Sequence, residues 1–156
     1  MNRAKEEKGN QTAGEIPVMG TVDSRIAEQV QRLLLGSPVS RAFGIELIGL
    51  EVDRAVLGLP FKPGNVTVKD IVHGGVIAAL IDVAGVAAAL SGASFETLRG
   101  SATSALSISY LAPARSVALR ADAVVLRRGR RQVVIDVSVA AGSLAVAKAL
   151  VTAALF

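Results

Sequence analysis

Ile71 to Gly85 reads IVHGGVIAALIDVAG, and the apolar run that starts inside it continues to Leu90. Val72 to Leu90 has about the length of a membrane span, in a chain whose mean hydropathy is +0.51. The run nevertheless reads as a buried helix of a soluble protein. Asp82 stands at its middle, where a carboxylate costs about 2.5 to 3.5 kcal/mol on insertion into a bilayer. His73 stands near its start, and the rest is Ala, Gly and Val rather than Leu and Phe. A helix from about Gly74 to Leu90 that is apolar on nearly every face has to be covered nearly all round.

The flanking sequence supplies the cover. After SGASFETLRGS come four extended runs, Ala102 to Leu111, Ser116 to Arg127, Gln132 to Ala141 and Leu144 to Leu155. Arg127 to Arg131 around Gly129, and Gly142 with Ser143, are the turns between the last three. Upstream, Gly44 to Val52 and Ala55 to Phe61 flank Asp53 and Arg54 as a predicted hairpin, and KPGNVTVKD is a loop. Asp23 or Ser24 caps a short amphipathic helix. Its stripe is Ile26, Val30, Leu33 and Leu34, its other face mixes Glu28 with Arg25 and Arg32, and Gly36 and Pro38 stop it. Strands joined by tight turns pair antiparallel. The expected fold is therefore α+β, an antiparallel sheet wrapped around one long buried helix with a short N-terminal helix, in a domain that dimerises to finish covering the helix.

The chain of 156 residues is 51% apolar, 19% charged and 3% aromatic, which fits one domain over residues 21–156. Residues 1–20 hold too few apolar side chains to offset ordering entropy and read as a disordered tail. The first fifteen residues contain no apolar run of signal-peptide type, so the expected compartment is the cytoplasm. There is no cysteine and one histidine, which excludes disulfides, iron–sulfur clusters, a thiol nucleophile and multi-histidine metal sites. No metal and no cofactor are expected. The net charge of +4 favours an anionic partner.

Chemistry concentrates at the two ends of HGGVIAALID. A helix entrance offers free N–H groups and the positive end of the dipole, both suited to an oxyanion, and Gly74 and Gly75 let a substrate approach the backbone. Asp82 among Ile81, Val83 and Val86 is costly unless paired or at work. Bland readings stand beside these: a tight turn for the glycines, a cap for His73, a structural hydrogen bond for Asp82. The sequence has no nucleophile elbow, Walker loop or GxGxxG.

HGG, the nine-residue spacing from His73 to Asp82 in an Ala-rich helix, SYLAPA at a strand end (Ser109 to Ala114) and the RxGR turn together resemble the hotdog-fold acyl-CoA thioesterases of the PaaI type. The likeness covers about Pro38 to Leu155. It implies hydrolysis of an acyl-CoA thioester without metal, in homodimers that pair into homotetramers. It makes Asp82 the carboxylate that activates water or attacks the thioester. Gly74 becomes the N–H that polarises the carbonyl, with Gly75 beside it, and His73 orients the leaving-sulfur side or the loop. Thr103 falls where related enzymes place a hydroxyl that holds the water. Several members carry Asn six residues before the His; here that position is Thr67, and Asn65 is the nearby candidate for the substrate-binding role.

Gly74 and Asp82 are eight residues apart, about 12 Å along one helix, whereas an oxyanion donor and a base must both come within about 3 Å of one carbonyl. The site is therefore expected to be shared, Gly74 of one subunit facing Asp82 of the other. Arg127, Arg128, Arg130 and Arg131 form either a solvated hairpin tip or a site for coenzyme A phosphates. Nucleic acid is disfavoured by four Phe, one Tyr and no Trp. The rival readings are a hotdog protein that binds acyl-CoA or another apolar ligand without turnover, and a thioester dehydratase or hydratase. HGG with Asp82 argues against the latter.

Overall fold

The computed structural model describes residues 20–156; apart from Gly20, the tail read from the sequence lies outside them. The N-terminal helix starts at Asp23, whose carboxylate accepts the Arg25 N–H, and runs as α1 (Ser24–Gln29). From Val30 to Leu35 it widens into wider turns, closed by the Gly36 N–H on the Gln31 carbonyl five residues back. Pro38 does not merely stop this helix. Ser37 caps a second one, α2 (Pro38–Phe43), with proline at its first position and Gly44 in the left-handed region at its end. That start signal, a capping serine followed by proline, lies inside the stretch read as a stop.

The strands follow the expected runs closely. They are β1 (Glu46–Glu51), β2 (Arg54–Leu59), β3 (Ser101–Tyr110), β4 (Leu119–Arg128), β5 (Gln132–Ala141) and β6 (Leu144–Leu155). They form one antiparallel sheet in the order β1-β2-β4-β5-β6-β3. Four of the five strand pairings carry a register shift, and such bulges increase twist and bend a sheet. The sheet curls around α3 (Gly74–Ser91).

Alternation sets which residues reach the helix. On β5, Val133, Ile135, Val137 and Val139 are buried while their neighbours are not, the period of two that a half-covered strand requires. Ala121 and Ala123 of β4 and Val151 and Ala153 of β6 extend the same floor. Leu80, Ile81, Ala84, Ala87 and Ala88 of α3 lie on it with no exposed surface. Gly85 lets the helix settle closely, because a Cβ there would come within 2.9 Å of Val151. α3 is long and apolar enough to cross a membrane by composition, but 72% of it is buried inside the fold.

Burial of α3 is not complete. Gly75, Ala78, Ala79 and Asp82 remain partly open. Their spacing of three, four and seven residues puts them on one face. β3 is an edge strand, and most of its residues are exposed.

Candidate active site

The entrance of α3 is fastened from three directions. The Val72 N–H donates to the Ala114 carbonyl at 2.9 Å, and the His73 N–H to the Asn65 carbonyl at 2.8 Å. His73 itself stands in extended conformation as the cap, its Nδ1 accepting the Gly75 N–H at 2.8 Å. An accepting Nδ1 leaves Nε2 as the donor nitrogen of the ring. From the end of β3 the Tyr110 hydroxyl donates to the Gly74 carbonyl at 2.7 Å, and its ring lies against the glycine, Cζ 3.4 Å from where a Cβ would stand.

One peptide unit, Gly74–Gly75, is thus held at both ends, its carbonyl by Tyr110 and its N–H by His73. The Gly74 N–H, one peptide earlier, makes no hydrogen bond among the described residues. It points from the positive end of an eighteen-residue helix. The Gly75 N–H is taken up by the histidine cap, so of the two glycines only Gly74 presents a free N–H among the described residues.

Asp82 is half-buried, and its Oδ1 accepts the Thr103 hydroxyl at 2.5 Å. That bond uses one carboxylate oxygen and leaves Oδ2 without a partner among the described residues. β3 meets Asp82 near its beginning and Gly74 at its last residue, so it runs opposite in direction to α3 and supports both ends of the motif.

Beside the entrance, Thr67, Ile71, Gly74, Ile77, Tyr110 and Pro113 line a hollow of about 360 Å³. Thr67, six residues before His73, faces it. Asn65 does not line it. It is buried, and its Nδ2 donates to the Phe43 carbonyl at 2.9 Å, tying the loop to α2. Asn65, expected to bind substrate, is thus engaged in holding the loop.

The four arginines divide. Arg128 turns inward: its guanidinium donates to Asp53 at 2.6 and 2.9 Å and to the Ala89 carbonyl at 2.9 Å, where α3 ends. A cation at a helix C-terminus offsets the dipole and satisfies free carbonyls, so Arg128 is engaged in closing the end of α3. Arg130 and Arg131 line an open hollow of about 790 Å³ with Ser94, Thr97 and Phe156, and the paired Arg128 forms part of its wall. Arg127 joins them on a second hollow beside Gln132. Ala89 is fifteen residues beyond Gly74, about 22 Å along the helix, so the basic turn is remote from the entrance of its own chain. Among the described residues no group of three or more His, Asp or Glu side chains could hold a metal.

In the sequence Tyr110 stands only within the SYLAPA pattern; its hydrogen bond to Gly74 joins residues thirty-six apart, beyond the reach of any local signal.

A curled antiparallel sheet around one core helix, with a half-buried carboxylate on the helix and an N–H at its entrance that has no partner among the described residues, defines a hotdog domain. The profile of the thioesterase superfamily matches residues 69–148, and the chain belongs to that superfamily. A protein of Saccharolobus solfataricus provisionally named an esterase is 32% identical over 93 residues, 60% of this chain and 64% of that protein. This chain thus spans slightly under two thirds of that relative. The structure of a conserved protein from Pseudomonas aeruginosa is 30% identical, with a TM-score of 0.74 over 80% of this chain and 98% of the other. PaaI of Escherichia coli, from the phenylacetic acid degradation operon, shares the fold at 20% identity, with a TM-score of 0.76 over 87% and 96% of the two chains. A hypothetical thioesterase from Streptococcus pneumoniae, solved with coenzyme A, has a TM-score of 0.66 at 22% identity over 74% and 89%.

Proposed function

We propose that this protein hydrolyses acyl-CoA thioesters to a free acid and coenzyme A, in a site completed by a second copy of the chain. The observation that carries the reading is Asp82, a half-buried carboxylate with one oxygen fixed by Thr103 and the other without a partner among the described residues. In this reading Oδ2 takes a proton from water as the water oxygen attacks the thioester carbonyl carbon. The carbonyl electron pair moves onto oxygen, which the Gly74 N–H of the other subunit stabilises. When the carbonyl re-forms, the C–S bond breaks and the thiolate leaves with the proton from Asp82. Direct attack by Oδ2 would break the same bond through an anhydride that water then opens.

Sharing follows from distance. Gly74 facing Asp82 of the opposite subunit puts the two-fold axis beside residue 78, midway between them. The open face of α3 there is Ala78 and Ala79, small enough for two helices to approach closely. Edge strand β3 lies next to this face. A dimer is thereby a condition of activity, and pairing of dimers into tetramers follows the family resemblance.

Coenzyme A as the leaving group is supported by Arg127, Arg130 and Arg131, which have no acidic partner among the described residues, and by the neighbour solved with coenzyme A. The test is a panel of acyl-CoA thioesters assayed for free thiol, with wild type and Asp82→Asn. Wild type releases thiol, and the variant is slower by roughly two orders of magnitude while still dimeric. Release of thiol from no member of the panel would leave binding without turnover as the reading.

A further inference from the structure

A second hollow lies one turn beyond the carboxylate. Val86 and Leu90 follow Asp82 at four and eight residues, on the same side of α3, and Ser101 precedes Thr103 by two on β3, on the same face of the strand. Val86 and Leu90, with Leu33, Leu34 and Leu98, form the apolar wall of a hollow of about 270 Å³, to which Gln29, Arg99, Gly100 and Ser101 add polar groups and backbone. Along either element it begins about 6 Å from the Thr103–Asp82 pair.

The outer wall is held in place. Arg25 of α1 donates to Glu96 at 2.7 Å, and its guanidinium lies 4.3 Å from the centre of the Phe95 ring. This fastens the N-terminal helix to the segment that carries Leu98. The wall is also irregular in a telling way. Leu33 and Leu34 sit in the widened turns of the helix, and such turns are common at functional sites because the extra residue reorients the side chains that follow. Both leucines reach the hollow, and Leu33 remains 57% exposed. A large apolar side chain left in water at a cavity rim is suited to an apolar ligand.

We infer that this hollow receives the acyl group of the substrate, and that it selects apolar acyl chains of short to medium length. The inference rests on the thioesterase reading above. A thioester carbonyl beside Oδ2 of Asp82 sends its acyl group along α3 past Val86 to Leu90. The volume limits its length: at about 30 Å³ for each water-sized unit, 270 Å³ holds roughly nine heavy atoms. Acyl groups of about eight carbons, or an aromatic ring on a short tether, fill it. Longer chains have to leave through the rim at Leu33.

The test is the kcat/KM of straight-chain acyl-CoA thioesters from two to sixteen carbons, measured for wild type, Leu33→Trp and Leu98→Ala. Wild type is expected to peak near eight carbons and to fall for twelve and beyond. Leu33→Trp, a change at an exposed position, narrows the rim and lowers the octanoyl-to-acetyl ratio at least ten-fold, the scale set by filling a pocket one methylene at a time. Leu98→Ala, which widens it, moves the peak to longer chains. Acetyl-CoA turnover in the same preparations reports whether each variant is folded. A wild-type profile that is flat with chain length, or octanoyl-to-acetyl ratios within two-fold of wild type in both variants, overturns the assignment of the hollow while leaving the thioesterase reading intact. Absence of thiol release from every chain length instead removes that reading, and the acyl pocket with it.

Discussion

The hydroxyl of Tyr110, the last residue of β3, donates to the carbonyl of Gly74, the first residue of α3, at 2.7 Å. Because His73 Nδ1 holds the N–H of the same peptide unit, rotation of that unit would break two hydrogen bonds at once. The preceding peptide, whose Gly74 N–H is the proposed oxyanion donor, is thereby fixed without either side chain using it. Tyr110→Phe is expected to reduce kcat about ten-fold with little change in KM, because a loosened donor is felt in the transition state more than in binding. A rise in KM at constant kcat would show that the hydroxyl contacts substrate instead.

Gly74→Pro separates the backbone donor from the fold. Proline is favoured at the first position of a helix, where the N–H has no intrahelical partner, and it requires the preceding residue to be extended. His73 already is, at φ −63° and ψ 133°. The expected result is a stable dimer, judged by circular dichroism and light scattering, with turnover reduced roughly 100-fold or more, the scale of losing one oxyanion donor.

The same variant tests whether the site is composite. Equal amounts of Gly74→Pro and Asp82→Asn subunits, exchanged to equilibrium, give heterodimers in which one site has both groups intact. Random pairing restores roughly one quarter of wild-type activity per subunit. No recovery after exchange verified by mass spectrometry would mean that each chain holds its own site.

The divided arginines make opposite predictions. Replacing Arg130 and Arg131 with Ala is expected to raise KM for acyl-CoA, more at low salt than at high, while a thioester lacking the nucleotide is hydrolysed as before. Arg128→Ala leaves Asp53 and the last carbonyls of α3 without a partner. It is expected to cost about 1 to 3 kcal/mol of stability in urea unfolding, with both substrates affected alike.

Acid stability provides a prediction remote from the site. Arg54 grips Asp122 through two hydrogen bonds, 2.7 and 3.0 Å, and this holds the carboxyl below its ordinary value, with the guanidinium charges of Arg54 and Arg120 adding to the effect. A lowered native value stabilises the fold above the unfolded carboxylate range near pH 4, and the contribution is lost as pH falls through the native value. Asp122→Asn should therefore lower the urea midpoint at pH 7, with the gap to wild type closing below about pH 4. A gap that is constant with pH would mean that charge plays no part in it.

Much of the architecture was legible along the chain because it rests on local rules. An apolar run around Asp82 has to be a covered helix, Gln132 to Ala141 alternates with the period of a half-buried strand, and Gly142 with Ser143 can only reverse it. HGG marked a helix entrance because capping and glycine freedom act over two or three residues. What the tertiary structure decided are the pairings between residues distant in sequence. Thr103 meets Asp82, Tyr110 meets Gly74, and Arg128 leaves its neighbours to close the end of α3 beside Asp53. Each depends on a strand's register against the helix, which the curl and bulges of the whole sheet set. The same holds for the half-open face of Ala78, Ala79 and Asp82: sequence could say that the helix must be covered, but only the number of strands and how far they wrap determined which stripe is left for a second subunit.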